Sequence, residues 1–113
     1  MDCVDVLKKK DFKDDGVNKV SYLKTDQITE DTYYFKDGQV LDYHRHPEGD
    51  QIFFINDGEG EFYLDNGKEE KVPVKAGMTL LAPKNVWHKL VCTSKSGLVA
   101  SQVTKQPAGM EKR

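Results

Sequence analysis

The chain has 113 residues and a formal net charge of −2, with a sequence pI near 5.9, enough for one domain with one core and too little for two ordinary ones. Its lysines are interspersed with acids, so there is no basic field to draw in nucleic acid. No apolar run has the length a bilayer span needs, so no membrane partner is expected.

Residues 1–16 are rich in Lys and Asp, with a short apolar alternation at Val4 and Val6, and read as an N-terminal arm or a lead-in edge strand. They lack the positive-then-apolar order of a signal peptide, which makes the cytoplasm the expected location. Cys3 and Cys92 have no metal-type spacing and are read as free thiols. Residues 17–106 carry the strand signals. Val17 to Lys24 is a strand, the polar TDQITED that follows is mainly a connection, and Thr32 to Lys36 pairs with Gln39 to Arg45 through the Asp37-Gly38 turn. Further strands follow at Gln51 to Ile55, Glu61 to Leu64 and Lys71 to Val74, separated by Asp-Gly and Asn-Gly turns, with Pro73 suited to an edge. Met78 to Ala82, Val86 to Thr93 and Leu98 to Thr104 complete eight or more strands. With no helical periodicity, the expectation is an all-β antiparallel sandwich or barrel. Residues 107–113 read as an irregular tail.

The run Ile52-Phe53-Phe54-Ile55 is apolar on both strand faces. That predicts cover on both, by the second sheet on one side and on the other by another element or the partner of a homodimer.

The three histidines fall in two places. His44 and His46, two apart in strand-like sequence, point to one face, and His88 stands far along the chain. Gly38, five residues, His44-Arg45-His46, four residues, Gln51, six residues, Gly58 forms one pattern; Gly77, five residues, Pro83, one residue, Asn85, two residues, His88 forms a second. With these two ordered motifs the chain resembles the cupin superfamily of small single-domain barrels.

The resemblance implies a conical antiparallel jelly-roll β-barrel, the double-stranded β-helix. It also implies one divalent metal, held by His44, His46, Gln51 and His88, with Zn, Ni, Fe, Mn or Cu all suited to such donors. Asp50 is the rival fourth ligand, but only Gln51 fits the distance to Gly58. Gln51 stands where the family has Glu, so a carboxylate no longer cancels half of the ion's charge and the metal becomes more electrophilic. Asn85 replaces a glycine, and tolerates a left-handed turn better than any other non-glycine residue. Strand parity puts Phe53 and Ile55 beside Gln51, and Leu90 and Cys92 beside His88, as pocket lining or plain core, with Trp87, Lys89 and Arg45 facing out.

Three function classes follow from the resemblance. The first is Lewis-acid isomerase, tautomerase or lyase chemistry on a small polar or anionic molecule. Its ligand pattern is similar to that of the small cupin acting on unsaturated uronates, whose C-terminal Asp, aromatic and Arg have no counterparts between Gln102 and Ala108. The second is a metal-dependent dioxygenase. The third is a non-catalytic small-ligand-binding domain, usually fused to a helix-turn-helix for which 113 residues leave no room. No fourth histidine exists to act as a general base, leaving Tyr33, Tyr34, Tyr63 or an acid.

Overall fold

A computed structural model describes all 113 residues. It contains ten strands and no helix: β1 Asn18–Lys24, β2 Ile28–Phe35, β3 Val40–Arg45, β4 Gln51–Asp57, β5 Glu59–Asp65, β6 Glu69–Lys75, β7 Thr79–Ala82, β8 Trp87–Cys92, β9 Leu98–Lys105 and β10 Glu111–Lys112. They form two five-stranded antiparallel sheets, ordered β1-β2-β9-β4-β7 and β10-β3-β8-β5-β6. From β3 to β9 the chain passes repeatedly between the sheets, so sequence neighbours β3 and β4 lie on opposite walls of a jelly roll.

Burial follows the alternation of side chains. In β4, Gln51, Phe53 and Ile55 are buried while Ile52 and Phe54 are exposed; in β8, His88, Leu90 and Cys92 are buried and their neighbours are not. The inward residues meet in one core that includes Phe35, Phe53, Phe62, Leu90 and Leu98. Complete burial of each large apolar side chain contributes about 2–3 kcal/mol.

Turn chemistry sets the registers. Gly58, between β4 and β5, has φ +84° and sits so close to the Gly97 carbonyl that a Cβ there would lie 2.0 Å from its oxygen. Asn85 adopts φ 63°, the left-handed conformation anticipated for it. Pro73 lies in β6, an edge strand.

Four expectations need correction. Thr32 to Lys36 does not pair with Gln39 to Arg45: the Asp37-Gly38 turn carries the chain from one sheet to the other, where β2 pairs with β1 and β9 and β3 with β8 and β10. β2 begins at Ile28, inside the supposed connection, because the Thr25 hydroxyl accepts the Gln27 and Ile28 N–H groups in a tight turn and all eight β2 residues then pair with β9. The C-terminal tail is not irregular throughout: Glu111 and Lys112 pair with Arg45 and His44 as β10. Finally, the outer side of β4 has no cover within the chain, with Ile52 45% and Phe54 38% exposed. The N-terminal arm lies instead over β2, where the Tyr34 hydroxyl donates to the Val6 carbonyl and Phe12 packs edge-on against the Tyr34 ring. Residues 1–17 contain no strand.

Candidate metal centre

β3 and β8 are hydrogen-bonded neighbours, and their register sets His44 directly opposite His88. His46 follows the end of β3. The three rings converge, with centroids 4.2 Å apart for His44 and His88, 5.3 Å for His44 and His46 and 5.9 Å for His46 and His88. One ring nitrogen from each lies within 4.8 Å of the others, the spacing of a group able to hold a metal ion.

Main-chain carbonyls orient the rings. Nδ1 of His44 faces the Asp42 carbonyl at 2.9 Å, that of His46 the Gly109 carbonyl at 2.7 Å, and that of His88 the Val86 carbonyl at 3.3 Å. A carbonyl can only accept, so each Nδ1 carries the proton and each Nε2 keeps its lone pair. The Nε2 atoms of His46 and His88 are buried without a hydrogen-bond partner. Burial lowers the pKa of all three imidazoles, that of His88 to about 3, and keeps them neutral. Neutral imidazoles with free lone pairs turned inward are the donors that a transition metal takes.

Gln51 reaches the interior from β4 on the facing sheet and is 1% exposed. Its amide nitrogen donates to the Thr104 hydroxyl at 2.7 Å, while Oε1 is buried and unpartnered. Buried polar oxygens normally have partners, so Oε1 also fits a ligand that the polypeptide does not supply. Asp50 is exposed, and its carboxylate accepts the Lys84 N–H at 2.8 Å. Phe53 packs 5.6 Å from the His88 ring and belongs, with Ile55, Leu90 and Cys92, to the closed core.

The opening beside the site is a cavity of about 580 Å³ between β1 and the β3–β10 edge, lined in part by Lys19, Tyr33, Leu41, His44 and His46. On the outside of the same sheet, Arg45 stacks on Trp87 at 4.2 Å and pairs with Glu111, while Lys89 lies over Tyr63. Sequence reasoning did not find Lys19 or the orienting carbonyls. The carbonyls carry no residue-type signal, and Lys19 enters the cavity only through the β1–β2 register.

The sequence profile described as "Cupin domain" matches residues 32–101, more than half of the chain. The chain belongs to the cupin family. Solved structures agree on the fold. This cupin is similar to a Klebsiella pneumoniae conserved protein with a double-stranded β-helix domain at TM-score 0.88 and 20% identity, over 96% of this chain and 94% of that one. It is similar to an RmlC-like cupin from Desulfovibrio desulfuricans at TM-score 0.82 and 24% identity, over 93% and 96% of the two chains. It is also similar to an oxalate oxidase at TM-score 0.74 and 18% identity, over 86% of this cupin and 54% of that chain. A search of functionally curated proteins finds no match.

Proposed function

We propose that this cupin holds one divalent transition metal through Nε2 of His44, His46 and His88 and Oε1 of Gln51, and acts on a small anionic organic molecule in an isomerase-, tautomerase- or lyase-type reaction. The reading is supported by the convergence of His44, His46 and His88, and by Nε2 of His46, Nε2 of His88 and, on the facing sheet, Oε1 of Gln51 all being buried without a hydrogen-bond partner. Gln51 is favoured over Asp50 because its side chain is buried while that of Asp50 is committed to the loop at Lys84.

When bound, the metal supplies a Lewis acid that polarises a ligand oxygen, with no carboxylate donor to damp its charge. The rest is the work of the chain. Thr104 holds the Gln51 amide so that its oxygen stays free, three carbonyls fix the imidazole tautomers, and Phe53 and Phe62 form a dry floor against His88. Burial raises the Tyr33 phenol far above its ordinary pKa, so at the cavity wall it remains a proton donor. The cavity volume suits a small molecule.

The likeness to an oxalate oxidase supports one alternative, oxygen chemistry as in a dioxygenase. Metal-loaded protein separates the two: the Lewis-acid reading predicts deuterium exchange at the carbon next to the carbonyl of keto acids or uronates in heavy water, abolished in His88→Ala. Oxygen uptake with the ferrous protein, without such exchange, would overturn it in favour of the alternative. We assign the uncovered face at Ile52, Phe54 and Leu81 to a second copy of the chain.

A further inference from the structure

The cavity has a wall that the histidines do not form. Lys19 of β1 and Tyr33 of β2 are direct cross-strand partners, so both side chains lie on the inner face, and both line the cavity with His44 and His46. The nearest carboxylate to the Lys19 ammonium is that of Asp31, at 3.8 Å, beyond hydrogen-bond reach. Asp31 is itself committed, accepting the Ser21 hydroxyl on one oxygen and the Gln102 amide at 3.3 Å on the other. Tyr33 is 4% exposed as a residue, and its hydroxyl, which forms no hydrogen bond within the chain, is not itself fully buried and opens to the cavity the residue lines.

The geometry points to a carboxylate subsite: the Lys19 ammonium and Tyr33 hydroxyl receive the carboxylate of a small organic acid whose second oxygen function reaches the three histidines. This names the substrate class of the metal site and rests on that reading. Two donors on one wall match the two oxygens of a carboxylate. A phosphate would demand more, and the one arginine lining the cavity, Arg113, is already paired with Asp65 at 2.7 Å. Lys112 makes a third cation on the cavity wall beside Lys19 and Arg113, against the single acid Asp42.

Zinc-loaded protein titrated with glycolate, malate and galacturonate, each beside its neutral amide, tests the subsite by calorimetry. At least one acid is expected to bind more tightly than its amide, with the dissociation constant raised tenfold or more in Lys19→Gln, three- to tenfold in Tyr33→Phe, and restored in Lys19→Arg. Lys19 is half-exposed and the Tyr33 hydroxyl has no partner, so both variants should fold. Acids that bind no better than their amides, or a preference that survives Lys19→Gln, would overturn the subsite. Zinc content is measured in every sample. If the wild type takes up none, the metal reading fails while the subsite is still decided: in metal-free protein the Tyr33 ring resonances must move on addition of galacturonate, and in Lys19→Gln they must not.

Discussion

His88 makes the metal-free protein acid-labile by an amount that can be worked out. Its pKa is lowered from 6.5 to about 3, first by burial and then by the neighbouring His44. The unfolded chain therefore takes up a proton near pH 6.5 that the folded chain refuses until about pH 3, and stability falls across that window as the pH drops. For one such group the loss is about 2 kcal/mol at pH 5, and it grows by roughly 1.4 kcal/mol for each further pH unit until the folded value is reached. His44 and His46 are shifted the same way and add to the loss. Urea unfolding after chelation, at pH 7 and pH 5, measures the difference for the wild type and for His88→Gln, whose side chain does not titrate. The variant is expected to lose about 2 kcal/mol less than the wild type between the two pH values. An equal loss in both proteins would place the acid sensitivity elsewhere and refute the assignment of His88 as a buried neutral imidazole.

Gly58→Ala forces a Cβ to 2.0 Å from the Gly97 carbonyl at φ +84°, whereas Gly67→Ala meets a similar φ of +93° in open space. Urea midpoints should show roughly 3 kcal/mol lost in the first and about 1 kcal/mol in the second. Truncation after Ala108 removes the Gly109 carbonyl from His46 and β10 from β3, and metal titration should find affinity weakened about 10- to 100-fold. Phe54→Glu on the uncovered sheet face should convert a sedimenting dimer into a monomer; a wild type that sediments as a monomer would contradict the assignment of that face to a second copy.

The fold was legible where the sequence alternates cleanly. β4 and β8 bury every second residue, and the Asp-Gly and Asn-Gly turns fall between the strands they were expected to separate. β2 was cut short because the inner face near the cavity is polar: Asp31 is buried there, held by Ser21 and Gln102, so the period-two hydrophobic signal fades before the strand does. The apolar outer face of β4 at Ile52 and Phe54 has no cover within the chain, whereas β2, under the N-terminal arm, and β9 are buried on both faces. The i, i+2 spacing of His44 and His46 pointed both rings to one face, and the resemblance to cupins added His88 to them. What holds them was not legible, since β10 is two residues of edge pairing and the carbonyls of Asp42, Val86 and Gly109 are main-chain groups common to every residue type.

Elemental analysis of protein purified without chelators or a histidine tag tests the central claim most directly, with wild type, His88→Ala and Gln51→Leu measured side by side. Close to one transition-metal ion per chain is expected in the wild type, none in His88→Ala and a weakened complement in Gln51→Leu. A wild type that stays empty after reloading, or a His88→Ala variant that keeps its metal, would contradict that claim.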